Sequence, residues 1–357
     1  MTTPKARAAA FCARFGLRLP ILLAPMAGAC PPSLSIAVAN AGGMGACGVL
    51  LMQPDAIAAW AREVRAASNG AFQLNSWIPD AAPIRDPAHE ALLRDFLGNF
   101  GPAVAEDAGD QPLVDFDAQC TAMLAAGPAV ISSIMGLYPA PFVAAMRAQG
   151  TAWFATVTTV AEALAAVAAG ADALVAQGSE AGGHRGAFAA NDAERAAIGL
   201  FALLPAVANA VDIPIIAAGG IADARGIAAA LMLGASAVQI GTGLLRTPEA
   251  KIAPAWATAL ATTRPEDTVV TRAFSGRAGR SIATDYTRAA NTGPAPAPYP
   301  IQRGLTAAMR DAATKAGNVQ HMQAWAGQSA AMARAEPAAD LLRNLWSDTT
   351  ALLGNQT

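Results

Sequence analysis

Gly170-Ala-Asp-Ala-Leu-Val-Ala-Gln-Gly178 can be laid over Gly234-Ala-Ser-Ala-Val-Gln-Ile-Gly241 with one residue of slack. Each copy leaves a helical stretch at a glycine, runs through a short apolar core and stops at another glycine, as parallel strands between helices do. The stretch before the first copy carries its own helix signals: Thr158 or Thr159 can cap it, Glu162 follows three or four residues on, and Gly170 ends it. Outward from this unit the same alternation recurs eight times, with strands expected over residues 20–26, 43–51, 71–77, 128–136, 151–158, 171–179, 213–221 and 235–243. Eight repeated strand–helix units predict an α/β fold, a (β/α)8 TIM barrel.

Two segments fall outside this rhythm. Residues 79–117 mix proline, charge and phenylalanine without strand character and read as an insertion after the third strand. Residues 264–357 pass through the proline-rich run 294–300 and several amphipathic stretches, including 336–353. The expected organisation is a barrel domain of residues 1–78 and 118–263, with 79–117 and 264–357 forming a mainly helical lobe over the barrel mouth. A length of 357 residues fits one barrel with such an addition.

With 54% apolar and 14% charged residues the chain can bury a large core. A formal charge of −2 with no basic run gives no footprint for nucleic acid or an anionic membrane, so the expected partner is a small molecule. Cys12, Cys30, Cys47 and Cys120 form no CxxC pair, which suggests neither a zinc knuckle nor a disulfide framework. No signal peptide and no long apolar run is evident, so a cytoplasmic protein is expected; a homo-oligomer is compatible with the sequence.

In a parallel barrel the active site lies at the carboxyl ends of the strands. The seventh strand ends in Ala217-Ala-Gly-Gly220 and the eighth in Gln239-Ile-Gly-Thr-Gly243. Gly219, Gly220 and Gly241 leave main-chain N–H groups accessible to a bulky anion, Thr242 adds a hydroxyl, and a helix starting near Ala222 and Asp223 turns its positive end the same way. Tight turns need glycine too, so these features argue for a phosphorylated ligand without naming it. The sixth strand runs into Gln177-Gly-Ser-Glu-Ala-Gly-Gly-His184, which puts His184 at the mouth as the candidate catalytic residue, able to accept a proton or, if charged, to hold an anion. His89 and His321 sit in ordinary polar surroundings. Lys5, Lys251 and Lys315 are the only lysines and none ends a strand, which argues against Schiff-base chemistry, and one mouth histidine makes no metal site. An organic cofactor is left to carry the reaction. Ala24 and Met26, in Ala24-Pro-Met-Ala-Gly28, suit packing against a flat ring, and the amides of Asn75 and Gln177 suit a ring edge of alternating donors and acceptors.

Together, Ala24-Pro-Met-Ala-Gly28, Asn40-Ala-Gly-Gly-Met-Gly45, Gln177-Gly-Ser-Glu-Ala-Gly-Gly-His184, Ala218-Gly-Gly-Ile221 and Gln239-Ile-Gly-Thr242 resemble the nitronate monooxygenase family, formerly 2-nitropropane dioxygenases, as do Phe274-Ser-Gly-Arg277 and Trp325-Ala-Gly-Gln328. The resemblance implies non-covalent FMN, its phosphate on Gly219, Gly220, Gly241 and Thr242. It further implies that Asn75, Gln177 and Gln239 contact the flavin or its ribityl chain, that Gly182 and Gly183 approach it by backbone, and that Met26 lies near the ring. The implied reaction oxidises an alkyl nitronate with O2 to a carbonyl compound and nitrite, with His184 holding or deprotonating the substrate and Tyr299 lining the nitro group. One departure from the resemblance concerns the substrate pocket: many bacterial members carry a second histidine where this chain has Ile134, which would make the pocket more apolar. An FMN-dependent NAD(P)H reductase of quinones or enoyl thioesters is the nearest rival. A flavin-free sugar-phosphate isomerase or lyase and a non-catalytic flavin-binding protein are others.

Overall fold

The computed structural model describes residues 2–110 and 112–354. In chain order its strands are β1 (Ile21–Leu23), β2 (Gly45–Gly48), β3 (Phe72–Trp77), β4 (Val130–Ile134), β5 (Ala152–Val157), β6 (Ala173–Gln177), β7 (Gly183–His184), β8 (Ile215–Ala218), β9 (Ala237–Ile240), β10 (Thr268–Thr271) and β11 (Gly279–Ile282). All eight expected barrel strands are present, each shorter than its apolar run, in one parallel sheet ordered β1-β9-β8-β6-β5-β4-β3-β2. A parallel bridge between Leu22 and Met44 joins the two ends and closes the barrel.

The period of two along a strand sorts side chains between interior and wall. Leu22, Phe154, Val175 and Ile216 meet inside the barrel, whereas Ile21, Leu23, Leu174, Ala176 and Val238 pack outward under the helices. The helix Pro4–Phe15 supplies Phe11 and Phe15 to this interior, where they pack on Phe154 with ring centroids 6.2 and 5.0 Å away. The same cluster holds Val130, Ala173 and Ala237, the first residues of their strands, so this helix plugs the amino-terminal end and the opposite mouth carries the loops. The signals read before β6 are realised: Thr159 caps the helix Val160–Ala168, Glu162 Oε2 accepts from Thr158 N at 2.6 Å, and Gly170 is left-handed at φ 96°.

Two features differ from expectation. The region after residue 263 is not only helical: β10, β11 and β7 form an antiparallel sheet that joins it to the loop after β6. A two-residue strand such as β7 carries no periodicity to read. The helix Ala338–Leu352, expected in the lobe, lies against the barrel wall instead, between the helices Pro32–Ala41 and Ala224–Met232. Ala338, Leu341, Leu342 and Leu345, spaced along one helical face, join the main core, and Glu249 accepts from the Ala338 N–H. The insertion contributes the helix Pro87–Leu97, whose Leu93 and Leu97 share an apolar cluster with Phe274, Tyr286 and Leu305 from beyond residue 263. No helix among the described residues is long and apolar enough to cross a membrane.

The wall position of the last helix is testable by denaturant unfolding. Leu342→Ala, at a fully buried site, should cost about 2–5 kcal/mol, while Leu352→Ala, at a position 58% exposed on the same helix, should stay within about 0.5 kcal/mol. Equal small effects would place the helix away from the core.

Candidate active site

The loops after β8 and β9 meet at the mouth. Gly219 and Gly220 hold left-handed φ of 114° and 69°, where other residues are strained, and a Cβ on Gly241 would come within 3.4 Å of Met26 Sδ. Among the described residues the N–H groups of Gly219, Gly220, Gly241 and Thr242 donate to no protein oxygen. Four such donors around one opening form an anion cradle. Thr242 Oγ1 accepts from Gly327 N at 3.0 Å, leaving its hydroxyl proton free to donate. The following helix begins at Ala224 as expected, but Asp223 caps it through Gly226 N, so the loops offer the open donors.

His184 is held from several sides. β7 pairs with β11 in the register Gly279 to His184 and Arg280 to Gly183, and Arg185 N donates to Ala278 O at 2.9 Å. The imidazole Nε2 lies 2.7 Å from Ser275 Oγ. That hydroxyl also lies 3.2 Å from the carbonyl of Arg277 and accepts from the N–H of Arg277, so Ser275 is itself fixed and in turn fixes the ring. Trp77 and Trp325 pack edgewise on the ring with centroids 4.5 and 4.7 Å away. Burial, assisted by Arg303 and Arg277, pushes the imidazole pKa down to about 3, which keeps the ring neutral at physiological pH. Of the two roles open to it in sequence, this lowering favours the neutral ring over the charged anchor.

Gly182 allows close packing: a Cβ there would sit 2.5 Å from Gly327 N and 2.8 Å from Thr242 Oγ1. Gly327 belongs to Trp325-Ala-Gly-Gln328, whose Gln328 N donates to Glu180 O, so this segment clamps the histidine loop to the β9 loop. Phe274-Ser-Gly-Arg277 works as a unit. Ser275 holds His184, Gly276 (φ 87°) lets residues 297–299 approach to contact distance, and Arg277 Nη2 donates to Asp80 Oδ1 in the insertion at 3.0 Å.

That close approach delivers Tyr299, whose hydroxyl is buried without a partner among the described residues and whose pKa rises to about 12 through burial. It stays a donor. Its ring lies 5.1 Å from Trp77. Arg303, one helical segment on, lines the same cavity and forms neither a salt bridge nor a side-chain hydrogen bond among the described residues. Its carbonyl accepts from buried Arg310, which fixes this turn.

The structure brings every residue singled out in the sequence to one cavity at the mouth. Ala24 and Met26 line it from β1, Asn75 from β3, Ile134 from β4, and Gln177, Gly182, Gly183 and His184 from β6 and its loop. Gly219, Gly220, Gln239, Gly241, Thr242 and Tyr299 complete the set. The three amides are not equivalent. Asn75 Nδ2 donates to Ser132 and Gln239 Oε1 accepts from Gln73, leaving the other amide atom of each uncommitted, whereas both ends of Gln177 are used on His184 O and Gly186 N. Gln177 therefore steadies the histidine loop. Trp77, Ser275, Arg303 and Trp325 had no assigned role in the sequence reading. Trp77 ends an expected strand and could have been noticed there, but Arg303 reaches the mouth only through tertiary folding. His89 and His321 stay outside, His89 on the carbonyl of Ala295 and His321 against Phe100.

The family model described as nitronate monooxygenase matches residues 11–348. A curated nitronate monooxygenase from Paraburkholderia phytofirmans is 40% identical over 339 residues, covering 92% of this chain and 92% of that protein. The solved structure of nitroalkane oxidase from Streptomyces ansochromogenes superposes with a TM-score of 0.86 at 36% identity, covering 96% of this chain and 98% of that one. FabK from Thermotoga maritima superposes with a TM-score of 0.76 at 26% identity over 96% of each chain. With likeness of this length, on a barrel that gathers the residues of the resemblance at its mouth, the chain belongs to the nitronate monooxygenase family of flavin-dependent oxidoreductases.

Proposed function

We propose that the flavin is FMN, held without a covalent bond, and that the substrate is an alkyl nitronate oxidised with O2 to a carbonyl compound and nitrite. The observation that carries this reading is the charge of the cavity. Among the described residues Arg303 is the one ionised side chain lining it and no carboxylate faces it, and the His184 pKa is pushed down toward the neutral ring. A half-buried cation without a counter-ion favours an anionic ligand, and a nitronate is an anion where its parent nitroalkane is not.

The fit to FMN rests on the uncommitted donors. The N–H groups of Gly219, Gly220, Gly241 and Thr242 suit its phosphate, and the uncommitted amide atoms of Asn75 and Gln239 suit the polar edge of its ring or ribityl chain. When bound, the flavin supplies the electron acceptor and the oxygen-reactive centre, which no side chain here can provide. Arg303 and the Tyr299 hydroxyl would hold the two nitro oxygens, and Trp77 and Trp325 would exclude water beside them. The His184 ring, held by Ser275 and flanked by Trp77 and Trp325, would shape the space beside the substrate. Burial holds its pKa well below the ordinary imidazole range, which makes it a weak base and favours a substrate that arrives already deprotonated.

Mixing the oxidised holoenzyme with a preformed alkyl nitronate without oxygen should bleach the flavin, and NADH in a parallel cuvette should not; the reverse result would make the protein an NAD(P)H-dependent reductase. Arg303→Met should raise KM for the nitronate about ten- to a hundredfold, the value of a charge-assisted contact, with flavin content unchanged. Loss of flavin instead would assign Arg303 to the cofactor. Because the His184 pKa lies below its ordinary 6.5, the neutral ring persists as pH falls from 8 to 5 and begins to protonate only toward 3. The kcat/KM profile for preformed nitronate should therefore show no limb near 6.5 that His184→Asn removes.

A further inference from the structure

A second chamber adjoins the catalytic cavity, between the insertion and the proline-rich segment that carries Tyr299. The two spaces share Leu50, Trp77 and Tyr299, so these side chains form the partition between them. Beyond the partition the chamber is walled by Ile78, Pro79, Val114 and Phe116, and half-exposed Leu113 stands at its edge. Its volume of about 350 Å³ falls within the roughly 300–1,000 Å³ of small-molecule sites.

Apart from the Tyr299 hydroxyl at the partition, the polar side chains in its wall are engaged. The Asp80 carboxylate is paired with Arg277, and the Gln119 amide nitrogen donates to the carbonyls of Val49, Leu50 and Met52 at 2.8, 3.1 and 3.0 Å. Beyond the Tyr299 hydroxyl, which faces the head-group side in this reading, a ligand entering here meets apolar surface and no free charge. On the catalytic side, Ile134 presents a further apolar side chain to the substrate.

We infer that this chamber is a subsite for the aliphatic chain of the substrate, so that the anionic head group lies between His184, Tyr299 and Arg303 while an unbranched tail passes Trp77 into the space under the insertion. This rests on the nitronate reading above and assigns the substrate class within it: nitronates of medium-length linear nitroalkanes. Binding the tail removes methylenes from water without breaking a hydrogen bond, so affinity grows with chain length until the chamber is filled.

The test measures kcat/KM with preformed nitronates from nitroethane to nitrooctane, using flavin-loaded wild type and two variants. Val114→Trp fills the chamber, and Leu113→Asp, at a half-exposed position that should tolerate polarity, charges its edge. Wild type should gain up to about fourfold per added methylene, the equivalent of ~0.8 kcal/mol per buried methylene, over part of the series. Each variant should lose at least tenfold on the longest nitronates while staying within about twofold of wild type on nitroethane nitronate. A wild-type series that is flat with chain length, or variants that lose equally at every length as a blocked access path would, overturns the chain subsite and leaves the nitronate reading standing. Absence of turnover with every nitronate overturns the nitronate reading, and the subsite with it.

Discussion

Two residue pairs of antiparallel sheet, Gly279 with His184 and Arg280 with Gly183, tie the barrel to the chain that covers it. The histidine loop leaves β6 rich in glycine and would sample many conformations alone. Pairing with β11 fixes its backbone, and the turn that precedes β11 brings Ser275 to the imidazole and Arg277 to the insertion. The same strand bridges to Trp325, which packs on the other side of the ring. Orientation of the histidine, the depth of its burial and the closure of the mouth thus follow from one short ribbon.

Burial then decides the chemistry. Removing His184 from water favours its neutral form, and the cations Arg303 and Arg277 push in the same direction. In the proposed reading, the two tasks that one charged histidine could have performed are divided, with attraction of the anion falling to Arg303 and alignment to a neutral ring. Such a division suits a substrate that brings its own negative charge. It also matches the apolar surroundings, since Ile134, Trp77 and the chamber beyond can solvate a carbon chain but not a second charge.

The barrel was legible because its signals are local and repeated. Apolar runs bounded by glycine marked all eight strands, although the paired strands are shorter than those runs. The residues of the proposed cofactor face could be picked out for the same reason, their glycines and amides lying at strand ends. The covering chain was not. β7 is too short for any pattern, Arg303 is remote in sequence from the mouth it faces, and the helix Ala338–Leu352 has the same amphipathic pattern whether it packs on a lobe or a barrel wall. Gln177 shows a subtler limit: its position was read correctly, but its amide serves the histidine loop, which only tertiary geometry reveals.

Gly279 is where the ribbon and the aromatic cage can be separated from the cofactor site. A Cβ there would fall 2.9 Å from Trp325 Cζ3 and 3.2 Å from Gly183 O, displacing the indole that packs on His184 without reaching the anion cradle. The decisive measurement is anaerobic stopped-flow reduction of the bound flavin by a nitronate in Gly279→Ala. Flavin content close to wild type with reduction slowed at least tenfold is the predicted result. Reduction at the wild-type rate would contradict the claim that the ribbon and its tryptophan set the working position of His184.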